Sequence, residues 1–107
     1  MATSTASGAQ SATLDTGHTL STVTTAGTYV LVVDTNAMVA GDILILRAKT
    51  KCKSGSTSRL AYSAVYANAQ TDPNKYSIPI PIADEVVFTL EQTDGTGRSF
   101  DWNVLKL

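Results

Sequence analysis

The chain is short of almost everything that chemistry needs. It has one cysteine, Cys52, and one histidine, His18, among 107 residues. A single thiol excludes an internal disulfide. One imidazole and one thiol also fall short of a zinc site or a Ser-His-Asp triad. Charge is scarce too, at 16% of residues against roughly 25% in an average soluble domain, and the formal net charge is −1. A dedicated nucleic-acid binder is normally strongly basic, so that class is disfavoured. No apolar run approaches the roughly eighteen residues of a membrane helix. The opening MATSTASGAQSAT has neither a basic start nor an apolar centre, so no secretory signal is read there.

What fills the space is hydroxyl and aliphatic. Sixteen Thr and ten Ser accompany a 43% hydrophobic content. The branched β-carbon of Thr, like that of Val and Ile, fits a pleated surface. The composition therefore predicts an all-β domain, and the length allows one domain with a modest core.

Turn signals divide the chain at short, regular intervals. Residues 1–12 are Thr, Ser, Ala, Gly and Gln behind Met1, and are expected to be a flexible N-terminal arm. Residues 13–107 are expected to be the folded domain. Asp15-Thr16-Gly17 and Ala26-Gly27 flank strands. Tyr29–Val33 is apolar on both faces and reads as a central strand. Asp34 to Gly41 reads as a single helical turn, capped by Asp34 and ended by Gly41. Asp42–Lys53 is the next strand, and Ser54-Gly55-Ser56 turns it into Thr57–Asn68. Pro73 sets a turn, and the Pro79/Pro81 pair in YSIPIPI marks an edge segment, with at least two of Ile78, Ile80 and Ile82 expected in the core and an exposed apolar strip for a partner as the alternative. Val86–Gln92 and Ser99–Leu107 complete seven or eight strands. The predicted fold is an antiparallel β-sandwich of jelly-roll type. Its predicted core is Val30, Val32, Leu44, Leu46, Leu60, Tyr62, Val86, Phe88, Leu90, Phe100, Trp102 and Val104.

One strand stands out. In DILILRAKTKCK the cations Arg47, Lys49, Lys51 and Lys53 fall at every other position. A strand has a side-chain period of two, so all four are expected to project from one face. Half the positive charge of the chain then forms one ridge. It fits either a solvated strand face that blocks edge pairing or a docking surface for something acidic. The same alternation places Cys52 on the opposite, buried face. Other polar groups carry less. His18 reads as a surface residue, and Asp84, Glu85, Asp94 and Asp101 do not form a convincing acid/base pair. Asp94-Gly95-Thr96-Gly97-Arg98 precedes a strand rather than a helix, so it reads as a tight turn and not a phosphate loop. No catalytic residue, metal or cofactor is expected.

Three stretches carry a resemblance: AGTYVLVVDTNAMVAGDILILRAKTK, RLAYSAVYANAQTDPNKYSIPIPI and VVFTLEQTDGTGRSFDWNVLKL. Together they resemble small proteins encoded among the virion structural genes of tailed bacteriophages, over roughly residues 14 to 107. The resemblance implies a non-enzymatic virion component. It is expected to be a capsid decoration or minor capsid protein that binds the major capsid protein and itself, as a trimer, within the particle. A place on the neck or tail, including a carbohydrate- or receptor-binding module, is the alternative. That alternative requires an exposed Trp102 or tyrosine. For the capsid role the contact residues are expected to be Arg47, Lys49, Lys51 and Lys53, together with the arm, including Ala2, Thr3, Ser4, Thr5 and Ser11.

Overall fold

A computed structural model describes residues 2–107. Nine strands follow one another: β1 (Thr3–Ser11), β2 (Gly17–Val23), β3 (Gly27–Asp34), β4 (Ile43–Thr50), β5 (Arg59–Ala67), β6 (Asn74–Tyr76), β7 (Ile80–Ile82), β8 (Val86–Asp94) and β9 (Ser99–Lys106). One sheet has the order β1-β9-β3-β6, with β7 also on β3; the other has the order β2-β8-β4-β5. Every pairing is antiparallel.

β6 and β7 are two halves of one interrupted strand. β7 pairs with Gly27–Tyr29 and β6 with Val32–Asp34. Ser77 bridges the gap between them. Its N–H donates to the Leu31 carbonyl at 2.8 Å, and its hydroxyl accepts from the Leu31 N–H at 2.9 Å. The prolines sit on this edge, as the sequence pattern predicts. With β6 and β7 taken together, the chain forms the pairs β1:β9, β2:β8, β3:β6/β7 and β4:β5. These are the rungs of one long hairpin. Rolling that hairpin brings β9 beside β3 and β8 beside β4, which is the jelly-roll topology.

The core lies between the sheets. Leu44, Leu46, Val86, Phe88, Leu90, Phe100 and Val104 fill it as expected, and Tyr62 and Trp102 pack against it half-buried. Ile80 is buried and Ile82 packs beside it. On β3 the residues between the sheets are Tyr29, Leu31 and Val33; Val30 and Val32 take the opposite face, where Val30 is still buried and Val32 half-buried. A strand apolar on both faces leaves its phase open; the pairing of Leu31 with Val104 decides it. Leu60 is the other correction. Ala48 pairs with Tyr62, but Lys49 pairs with Leu60, so Ala61 is an extra residue. That bulge rotates Leu60 to the outer face, where it is 55% exposed.

The arm also differs from expectation. Thr3–Ser11 is a regular strand on β9, and its register shifts only between Ser4 and Ala6. Small polar side chains cannot form a core, but their backbone can still pair along an open sheet edge. The expected helical turn after Asp34 is a plain turn. The Asn36 N–H donates to Asp34 Oδ1 at 2.9 Å and the Met38 N–H to the Thr35 carbonyl at 3.0 Å.

Candidate functional site

The four cations do not form one strand row. β4 ends at Thr50, opposite Arg59, and residues 51–58 form a longer loop than the three-residue turn expected. Lys51 and Lys53 therefore lie in the loop rather than on the ladder. Arg47 projects from the outer face of β4 and donates to Glu91 on β8 at 2.7 Å. Lys51 stands 3.7 Å from Glu85. Both pairs are partly solvated, so each contributes under about 1 kcal/mol. They neutralise two of the four positions. Lys49 and Lys53 are exposed, and neither has an acidic partner among the described residues.

The structure adds a third unpaired cation. Arg59 opens β5 opposite Thr50 and is exposed. Five of the eight cations thus gather on the second half of β4, the loop and the first residue of β5. A concavity of about 380 Å³ lies here, lined by Thr50, Cys52, Gly55, Ser56, Thr57, Arg59 and Leu60. Exposed Leu60 sits beside Lys49, and Val65 lies farther along β5 at 62% exposure. Cys52 is exposed rather than buried, because the alternation that placed it inward stops at Thr50. The patch offers cations, hydroxyls and an apolar side chain to a partner. The sequence pointed to this region but missed Arg59, whose place depends on the strand register.

The arm residues do not join this patch. Thr3 and Ser4 lie at the same end of the sandwich as the β4–β5 loop, but on the side closed by β1 and β2. Ser4 Oγ donates to Asn103 Oδ1 at 2.7 Å, and Thr5 is the bulged residue. Ala2 is exposed just before the strand, and Ser11 pairs with Ser99 at the far end.

That far end has its own charged centre. Asp42 is only 1% exposed. It accepts from the Val39 N–H at 3.0 Å and the Thr96 N–H at 3.3 Å, and pairs with Arg98 at 3.0 Å. Burial pushes its carboxyl up, but these donors and the Arg98 charge outweigh burial and hold it below the ordinary aspartate value. Gly95 makes the approach feasible. Its φ is +87°, and a Cβ there would run into the Asp42 carboxylate. The Gly-rich loop therefore cradles an anion after all, and the anion is the chain's own. Buried Gln92 ties the loop down, donating to the carbonyls of Asp94 at 3.0 Å and Thr96 at 2.8 Å and accepting from the Arg98 N–H at 3.1 Å. This cluster is internally complete and serves the fold.

Two further features bear on ligand binding. Trp102 lies inward and half-buried, with its indole close to Gly8. Tyr76 is 61% exposed on the outer face of β6, opposite Val32. Next to it a shallow groove of about 160 Å³ is lined by Val32, Asp34, Asn74, Asp101, Trp102 and Asn103. Among the described residues, no group of three or more His, Cys, Asp or Glu could hold a metal ion. No protein-family model, curated protein or solved structure matches this chain.

Proposed function

We propose that this chain is a structural component of a bacteriophage virion, a decoration or minor capsid protein that binds and stabilises the shell as a homo-oligomer. The observation that carries the reading is the unpaired basic patch of Lys49, Lys53 and Arg59 beside exposed Leu60. Cations without internal partners contribute little to the fold, but they steer and orient docking on an acidic surface. The resemblance of residues 14 to 107 to phage virion proteins supplies the setting. The jelly roll supplies a rigid frame that presents the patch at one end. The mechanism is stabilisation by binding, in which each copy bridges neighbouring shell subunits and no chemistry is performed. Particles assembled with Lys49→Glu plus Lys53→Glu protein should carry several-fold fewer copies than wild type. Unchanged occupancy in purified particles would remove the patch from the docking surface and overturn this reading of it.

A second reading rests on Tyr76. An exposed phenol beside a groove bearing Asn74, Asn103, Asp34 and Asp101 resembles what a sugar ring needs, an aromatic face with polar groups at its edge. Saccharide titration of wild type and Tyr76→Ala would decide it: binding that disappears in the variant favours a tail or neck module that recognises carbohydrate.

A further inference from the structure

The two sides of the sandwich are closed differently. On one side the sheets end in β5 and in β6 with β7; on the other they end in β1 and β2. The first side carries devices that discourage a further strand. Arg59 opens β5, Lys75 on β6 stacks over the Tyr66 ring at 5.2 Å, and Pro79 and Pro81 interrupt the β6/β7 edge. β1 and β2 carry none of these. TSTASGAQS and GHTLSTV contain no Lys, Arg, Asp, Glu or Pro. Each has one register shift, between Ser4 and Ala6 and between Thr19 and Ser21. Beyond the first of these, Ala6–Ser11 runs in unbroken register on β9. Its other edge pairs with no strand among the described residues and presents amides and carbonyls to solvent.

β1 also gains little burial from its own chain. Of its nine residues only Ala6 and Gln10 are even half-buried. Ordering a residue's backbone costs about 1–2 kcal/mol. A strand of small side chains offsets that mainly through backbone hydrogen bonds, and β1 makes them along one edge only. A second strand on the open edge would roughly double them.

We propose that β1 pairs edge to edge with β1 of a second copy, antiparallel about a two-fold axis. The result is one continuous sheet, β6-β3-β9-β1-β1-β9-β3-β6. The contact is self-complementary, as two-fold symmetry requires. In any register within Ala6–Ser11, every cross-strand pair joins uncharged residues, all small except Gln10, and Ser hydroxyls can bond across the strands. β2 borders β1 on the same side and brings no charge that would repel its own copy. The neutrality of both edges is what favours a second copy over an acidic or basic partner strand. The inference deepens the homo-oligomer reading above, with a two-fold pair in place of the trimer that the resemblance implies, and rests on it for its setting. Its test uses the purified chain alone, so failure here leaves the particle-occupancy result standing.

Ser7 and Ala9 are exposed in β1. Three proteins are compared by sedimentation equilibrium over a wide concentration range: wild type, Ser7→Lys/Ala9→Lys and Ser7→Glu/Ala9→Glu. Wild type should approach twice the 11.2 kDa chain mass. Each variant should stay at the chain mass, with wild-type circular dichroism showing an intact fold. An equimolar mixture of the two variants should recover the dimer, because unlike charges now face each other across the pair. Hydrogen exchange should show β1 amides slowing as wild-type concentration rises. A wild type that stays monomeric at the highest concentration, one that assembles as a trimer, or a dimer indifferent to both variants would each overturn the proposal.

Discussion

At the end of the sandwich where β3 leads into β4, charge is buried and answered within the chain. Asp42 is 1% exposed and meets Arg98, the Val39 and Thr96 amides and the space left by Gly95. At the opposite end, where β4 leads into β5, Lys49, Lys53 and Arg59 stand in solvent with no acidic partner among the described residues. Both ends are built from Gly, Ser, Thr and charged residues. The difference is whether the polar groups find partners inside the chain. A satisfied cluster holds loops in place and is costly to disturb. An unsatisfied one can be altered at little cost to the fold, and is therefore available to a partner.

The comparison can be broken at three strengths. The largest effect belongs to Gly95→Ala. The new methyl would meet the Asp42 carboxylate, and the residue would be forced to a φ of +87° that alanine avoids. Chemical denaturation should show a loss of about 3 kcal/mol or more. A loss under 1 kcal/mol would mean that the loop relaxes and that the end is less tightly built than argued.

Next comes Asp42 itself. Asp42→Asn leaves Arg98 without its charge partner and should cost about 2 kcal/mol near neutral pH, after allowance for the part of Arg98 that solvent reaches. The pH dependence gives a second check. The folded Asp42 carboxyl binds its proton less readily than the unfolded one. As pH falls, the unfolded chain takes up more protons, so stability drops from about pH 4 downward through the folded value; above that range the contribution is fully present. Thermal melts between neutral and strongly acidic pH should fall less steeply for Asp42→Asn than for wild type. Parallel curves would contradict the assigned role.

The smallest effect is expected at the other end. Lys49→Glu plus Lys53→Glu should change unfolding free energy by no more than about 0.5 kcal/mol, since neither side chain has a partner to lose. A loss above 1 kcal/mol would show that these cations support the fold, and the contrast between the two ends would weaken.

Much of the architecture was legible in the chain. Strand spacing, the proline edge and the alternation of β8 and β9 predicted a sandwich of jelly-roll type, and Val86, Phe88, Leu90, Phe100 and Val104 point inward as read. Errors came where periodicity was ambiguous or cut short. Tyr29–Val33 is apolar at every position, so nothing in the run chose between its two faces. The Lys49–Lys53 alternation continued on paper after the ladder had ended at Thr50, which misplaced Lys51, Lys53 and Cys52. β1 was read as a flexible arm because its side chains bury almost nothing, yet strand pairing needs only a backbone and a free edge.

Composition and turn spacing alone determined an all-β chain, because β-branched residues favour pleated sheets. They also determined that positive charge would gather around one hairpin. Which of those cations remain unpaired was decided only by the tertiary structure. Glu91 and Glu85 come from β8 and the turn before it, far away in sequence, and reach Arg47 and Lys51 only once β8 lies against β4. The same pairing leaves Lys49, Lys53 and Arg59 without acidic partners among the described residues. Charge content is a local property of the chain, whereas neutralisation depends on which strands are neighbours.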